Sequence, residues 1–169
     1  MIRIYLTNLG KYNEGHLIGE WLDLPATEKQ IEEVKERIGI NEEYEEWFIT
    51  DYETDIDGLV IREYSDIDEL NELAETLEDM DDNDREVVEA MLSEGFILED
   101  AIDKKDDCIV YADCEDMEDV AREYAEETGL LNSIPENLQN YFDFEAYGRD
   151  MSYEGQFVFT KNGNCVQIL

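Results

Sequence analysis

Ile2-Arg3-Ile4-Tyr5-Leu6 and Gly19-Glu20-Trp21-Leu22-Asp23-Leu24 alternate apolar and polar residues, the period of two expected of strands with one face on a core. Lys11-Tyr12-Asn13-Glu14-Gly15 supplies turn chemistry between them. Downstream, Thr27 with Gln30 forms a capping box, Ile31, Val34 and Ile38 make a helical stripe, and Gly39 stands where a C-terminal cap belongs. Trp47-Phe48-Ile49-Thr50-Asp51-Tyr52 then returns as a strand. Strand, strand, helix, strand is a small α+β unit, and it ends near Ile61.

The period then changes. Ser65 is placed to cap a helix with the stripe Ile67, Leu70, Leu73, Leu77 and Met80. Asn83 with Glu86 reads as a second capping box, before Val87, Val88, Met91 and Leu92 and a stop at Gly95. Phe96, Ile97, Ala101 and Ile102 suggest one more short helix. The stripes are narrow, as in a small bundle with an acidic surface. The last third opens with the strand Cys108-Ile109-Val110-Tyr111-Ala112, followed by a helix that turns Met117, Val120, Ala121, Tyr124 and Ala125 inward and stops at Gly129. Ser133 and Glu136 bracket Pro135 in a third capping box, which predicts a helix presenting Leu138, Tyr141 and Phe142, with Gly148 beyond it. Gln156 to Thr160 and Cys165 to Leu169 flank Lys161-Asn162-Gly163-Asn164, whose Asn-Gly suits the primed turns of a hairpin. The expected fold class is therefore α+β. Its organisation is a small α+β N-terminal domain (1–61), a central helical bundle (62–107) and an α+β C-terminal domain with an antiparallel sheet (108–169).

Charge narrows the function classes. The 169 residues hold 47 Asp and Glu against 12 Lys and Arg, a net charge of −35. Direct binding to DNA, RNA or an anionic bilayer is disfavoured, because each carries the same sign. Disorder is the first alternative for such a chain. However, Leu, Ile, Val and Phe make up 44 of the 169 residues, above the level of roughly 20% below which chains stay unfolded. Residues 1–61 carry 5 basic and 15 acidic side chains, 62–107 carry 4 and 19, and 108–169 carry 3 and 13, for nets of −10, −15 and −10. The acid is thus spread over every folded segment and is not a tail.

The N-terminal residues lack the basic start, apolar core and cleavage site of a signal peptide, and no apolar run is long enough to span a bilayer. A cytoplasmic protein is the expectation. Cys108, Cys114 and Cys165 are odd in number and form no CxxC, which fits free thiols in a reducing compartment. The single histidine, His16, gives a zinc site or a histidine-based triad almost nothing to work with, and it reads as a surface residue of a turn.

Asp51-Tyr52-Glu53-Thr54-Asp55-Ile56-Asp57-Gly58 looks briefly like a calcium loop. With Gly58 at the sixth position, Glu53, Asp55 and Asp57 fall at the first, third and fifth. The twelfth, which needs a bidentate Glu, is Tyr64, and Glu63 falls one residue short. Asp79 to Asp84 fails similarly, with Asp84 where glycine is required. An acidic turn is the better reading. Pairs of carboxylates suited to acid–base chemistry arise by chance among 47 acids, and GxGxxG, Walker and GxSxG motifs are absent. The expectation is no enzyme, no cofactor and no metal site. Trp21, Trp47, Tyr124 and Phe142 fit core stripes, whereas Tyr12, Tyr44 and Tyr147 are candidates for exposed contacts.

The acid itself has two readings: a halophile-like solvated surface, or carboxylates standing where DNA phosphates would. B-DNA carries one charge per ~1.7 Å, so 35 charges in a row match about 60 Å of duplex, and a dimer about 120 Å. A compact chain of 19.7 kDa exposes roughly 8,600 Å², or about 250 Å² per net charge. DNA, as a cylinder of roughly 10 Å radius, offers about 110 Å² per charge. Matching it favours an elongated body with acids concentrated on one face.

Asn8-Leu9-Gly10-Lys11-Tyr12-Asn13-Glu14-Gly15, Tyr44-Glu45-Glu46, Asp51-Tyr52-Glu53, Asp113-Cys114-Glu115-Asp116-Met117, Val120-Ala121-Arg122 and Glu126-Glu127-Thr128-Gly129 resemble, in order, the ArdA antirestriction proteins of mobile genetic elements. So does Ile134 to Tyr141 running into Ala146-Tyr147-Gly148-Arg149-Asp150. The likeness covers nearly the whole chain and is weakest over 80–107. It implies an elongated, curved, three-domain protein that dimerises through its C-terminal domain and imitates bent B-DNA. Such a protein occupies the DNA-binding groove of type I restriction–modification enzymes, on the methyltransferase core with its specificity subunit, and blocks both activities.

The carboxylates nominated for that surface are Glu42, Glu43, Glu45 and Glu46; Asp66, Asp68, Glu69, Glu72, Glu75, Asp79, Asp82 and Glu86; and Asp113, Glu115, Asp116, Glu118, Asp119, Glu126 and Glu127. The family's antirestriction segment falls on Leu130-Leu131-Asn132-Ser133-Ile134-Pro135-Glu136-Asn137-Leu138-Gln139-Asn140-Tyr141-Phe142-Asp143-Phe144. There Leu138, Tyr141 and Phe142 are expected to pack, and Glu136 and Asp143 to face the partner. The alternative is a generic acidic binder or chaperone of basic proteins with no restriction enzyme as its target.

Overall fold

Ile2, Ile4 and Leu6 put three fully buried side chains on one face of β1 (Ile2–Asn8), and this strand becomes the centre of an antiparallel sheet. It pairs with β2 (Gly19–Leu24) on one side and β3 (Trp47–Thr54) on the other. The structure is a computed structural model and describes residues 1–169. Helix α2 (Glu28–Arg37) covers the apolar face with Ile31 and Val34, and its capping box at Thr27 and Gln30 forms as the sequence predicts. The segment between β1 and β2 adds one turn of helix, α1 (Leu9–Asn13), where only a turn was expected. Buried Asn8 explains it. Its side-chain oxygen accepts from the Lys11 N–H at 2.9 Å, and its amide donates to the Ile38 and Gly39 carbonyls at 3.2 Å, tying the end of β1 to the end of α2.

Helices α3 (Ile67–Asp79) and α4 (Asp82–Ser93) follow with the expected stripes, whereas α5 (Leu98–Lys104) starts later than expected: Phe96 and Ile97 precede it, Ile97 is exposed, and Leu98 is buried with Ala101 instead. The caps of α3 and α4 move by one or two residues. Asp66 rather than Ser65 accepts from the Asp68 and Glu69 N–H groups, and Asp81 rather than Asn83 accepts from Asp84, since a carboxylate at the N-cap also meets the helix dipole. A continuous buried cluster runs from Ile2 through Ala101 and includes Val166, so the first two segments share one core. Gly58 has φ +80°, and a Cβ there would lie 2.8 Å from the Leu92 carbonyl carbon and the Ser93 nitrogen. Close packing on the end of α4 explains this glycine. The acids beside it are also engaged: Asp55 pairs with the amino terminus and Arg85, and Asp57 with Lys161.

The C-terminal sheet has the order β4 (Cys108–Tyr111), β6 (Cys165–Ile168), β5 (Gln156–Phe159), all antiparallel, with Phe159 opposite Cys165 across the expected hairpin. One face packs on the central helices through Val166, and the other on α6 (Met117–Thr128) through Tyr111 and Cys165. α7 (Glu136–Gln139) is a single turn, and α8 (Phe144–Glu154) lies against α6. Gly148 is buried inside α8, not beyond a helix: a Cβ there would sit 2.0 Å from the Met117 carbonyl oxygen. The hydrogen allows the two backbones to touch. No helix is long and apolar enough to cross a membrane.

Replacing Gly148 with Ala should force α8 off α6. Because the obstructing atoms are backbone, the cost should be about 1–3 kcal/mol, measured as a lower midpoint in urea unfolding with an unchanged slope. Gly15→Ala, with open space around it and a φ of +88°, should show only the strain of a left-handed residue.

Candidate functional site

The chain's own cations are almost entirely spent on its own acids. Eleven of the twelve Lys and Arg side chains, all but Arg62, lie within 4.0 Å of a carboxylate, as does the amino terminus. Fourteen carboxylates take part, which leaves 33 of the 47 without a cation. Several pairs join segments distant in sequence, such as Arg85 with Asp55 and Lys161 with Asp57 and Glu89.

The nominated carboxylates fall in three patches. Glu42, Glu43, Glu45 and Glu46 are exposed on the loop before β3 and, with Gly10 and Tyr44, line a hollow of about 320 Å³. Tyr44 itself is half-buried: its hydroxyl donates to Glu14 at 2.8 Å, and Lys11 sits 3.8 Å from its ring centre. Lys11 also donates to Glu14 at 3.1 Å, and the hydrogen bonds from Tyr44 first and Lys11 second hold the Glu14 carboxyl below its ordinary range.

The second patch lies on the solvent side of α3 and the start of α4. From Glu63 to Asp84 the chain has eleven acids and no Lys or Arg. Asp68, Glu72, Glu75 and Asp79 are exposed on α3, opposite buried Ile67, Leu70, Ala74 and Leu77. At ~1.5 Å of rise per residue they are about 4.5–6 Å apart along the axis. Asp66, Glu69 and Asp82 are exposed beside them. Glu86 departs from the expectation. It is buried at 8% exposure, accepts from the Asn164 amide at 3.0 Å, and is hydrogen-bonded to the Thr160 hydroxyl. It anchors the β5–β6 hairpin to α4 and is no part of the outer surface.

The third patch surrounds α6. Asp113, Glu115, Asp116, Glu118, Glu126 and Glu127 are exposed, and Asp119 is half-buried. Asp116 caps the helix through the Glu118 and Asp119 N–H groups, Asp119 accepts from the Glu115 N–H, and Glu118 pairs with Arg122. Here the structure brings two nominated sets together: Glu118 and Glu126 share a cleft of about 570 Å³ with Leu131, Asn132, Gln139, Asn140, Phe142, Asp143 and Phe144.

The segment 130–144 is not the packed helix that its sequence suggests. Leu130 to Ser133 form a 3-10 turn, and no capping bond forms at Ser133 or Pro135. The Gln139 amide instead donates to the Leu131 and Ile134 carbonyls at 3.1 Å. Leu138 and Tyr141 are 49% and 83% exposed, and of the expected trio only Phe142 packs, edge-on to Phe144 and Tyr147. Glu136 is exposed, and exposed Asp143 caps α8 through the Ala146 N–H.

Against known families, the model described as Antirestriction protein (ArdA) matches residues 4–166. The chain belongs to the ArdA antirestriction family. Comparison with curated proteins gives no match. The residues that this ArdA chain withdraws from solvent also constrain its chemistry. Burial pushes the Cys165 thiol up to about 12 and raises those of Cys114 and Cys108, so none is a thiolate nucleophile at neutral pH.

Trp21 is not a residue of the buried core, and Tyr5 is its cross-strand neighbour. Both lie on the outer face of the N-terminal sheet, with ring centres 5.2 Å apart. The signal was present in the alternation, which puts them on the face opposite Ile4 and Leu22.

Replacing Glu86 with Ala should strand the Thr160 hydroxyl and the Asn164 amide. The expected loss is about 1–3 kcal/mol of stability, measured by chemical denaturation, with inhibitory activity per folded molecule unchanged.

Proposed function

We propose that this ArdA protein inhibits type I restriction–modification enzymes as an elongated DNA mimic, its three acidic segments lying in the groove that normally holds the duplex. The observation that carries this reading is the distribution of 33 unpaired carboxylates over all three segments. An accessible surface of 10,613 Å² is about 1.2 times that of a compact chain of this mass, which supports an extended body. Spread evenly, the net charge occupies about 300 Å² per unit, roughly a third of the density of DNA. Mimicry therefore needs the acids gathered on one side, and the patch on α3 is of that kind.

Lys and Arg lining the partner's groove would pair with the carboxylates. Ions held in the empty groove and around the acidic protein would be released together. No base edges are displayed, so inhibition would be indifferent to the enzyme's recognition sequence. Restriction and modification would fall together, because both need the groove. We assign dimerisation to the C-terminal segment. The exposed Ile109 and Val110 on β4, an edge strand paired only with β6, support this placement.

Adding the protein to a type I methyltransferase should abolish methylation at low salt, and affinity should fall by more than about tenfold as salt rises from 0.1 to 0.4 M. Full methylation at low salt would refute the proposal. Equal affinity for histone-like basic proteins would replace it with a general binder of basic proteins. In sedimentation velocity the parent should run as a dimer, and Val110→Asp, which puts a charge on the β4 edge, as a monomer.

A further inference from the structure

The outer face of the N-terminal sheet carries a hollow that neither the core nor the nominated acids use. It measures about 490 Å³, and its walls include Tyr5, Tyr12, Leu17, Trp21, Phe48 and Thr50. Asp51 and Glu63 stand in the same wall. Tyr12 and Leu17 are 50% and 67% exposed. Tyr12 meets Phe48 edge-on at 5.2 Å, as Trp21 meets Tyr5, so the floor is built of interlocked rings. No Lys or Arg lines the hollow, and neither Asp51 nor Glu63 has an ion-pair partner.

This combination of ring faces with carboxylates is how the chain holds its own cations. Arg3 lies 4.9 Å from the Trp21 ring centre and pairs with Asp23 and Glu53. Lys11 lies over Tyr44 and pairs with Glu14, and Arg122 lies over Phe144 and pairs with Glu118. The hollow offers the same combination: Arg3 covers Trp21 alone, and no cation of the chain reaches Asp51 or Glu63 or lies over Tyr5, Tyr12 or Phe48. We propose that it receives an Arg or Lys side chain of the partner protein, its charged head over the rings and paired with Asp51 and Glu63. A second copy of this chain fits poorly, since two segments of net charge −10 would meet face to face. The proposal rests on the groove-binding reading and deepens it. A ring-lined pocket adds an apolar, salt-insensitive component that a phosphate row lacks.

The test compares binding to a type I methyltransferase across a salt series. Tyr12→Ser with Leu17→Ser keeps the net charge and should weaken affinity about tenfold at every salt concentration, leaving the slope of log Kd against log salt unchanged. Asp51→Asn with Glu63→Gln should reduce that slope. Near-ultraviolet circular dichroism checks the fold, and Leu17→Ser alone, at a largely exposed position, serves if the double variant is perturbed. Parental affinity of folded Tyr12→Ser/Leu17→Ser at all salt concentrations would overturn the pocket and leave groove binding intact. Loss of self-association with unchanged enzyme affinity would overturn it in favour of a contact between copies. Failure of the parent itself to bind would instead remove the reading on which the pocket rests.

Discussion

Like-charge repulsion among 47 carboxylates is the constraint under which every other feature of this protein has to work. A chain with a net charge of −35 gains little from collapse unless apolar burial outweighs the repulsion. The fold meets this in two ways. Twenty-five buried residues from Ile2 to Val166 form one connected cluster, so the hydrophobic term is shared across segments too small to fold well separately. The few cations are placed where segments meet or helices need support: Arg85 at Asp55, Lys161 between Asp57 and Glu89, Arg37 at Glu20. Single exposed pairs contribute little. Their placement at joints nevertheless removes repulsion where two acidic surfaces come closest.

The same arrangement produces the acidic surface proposed to meet the partner. Cations drawn into joints and stacked on rings leave long acidic stretches unopposed, most plainly from Glu63 to Asp82, before Asp84 meets Lys105. Antirestriction membership and this charge distribution are both consistent with the proposed partner, one that is basic where DNA would lie. Buried Glu86 marks the limit of any argument from composition. It is one acid among 47, and it acts as a structural acceptor for Thr160 and Asn164.

Much of the secondary structure was legible because its signals are local. Alternation marked β1 and β2, the capping box at Thr27 and Gln30 formed as read, and Asn162-Gly163 set the hairpin. The failures have long-range causes. α1 exists because Asn8 reaches the end of α2, thirty residues away. α8 continues through Gly148 because that glycine lets it touch α6. In the 130–144 segment the expected cap at Ser133 does not form, and Gln139 bonds back to the preceding turn, which leaves Leu138 and Tyr141 outside.

By itself, the sequence determined the class α+β, the sign and spread of the charge, and the family, because these reside in composition, short periods and ordered motifs. Only the tertiary structure decided which carboxylates remain free, which one is buried, and which rings gather into a hollow beside Asp51 and Glu63. The reason is distance along the chain. Lys161 finds Asp57 across 104 residues and Glu86 finds Asn164 across 78, and no local pattern encodes partners so far apart.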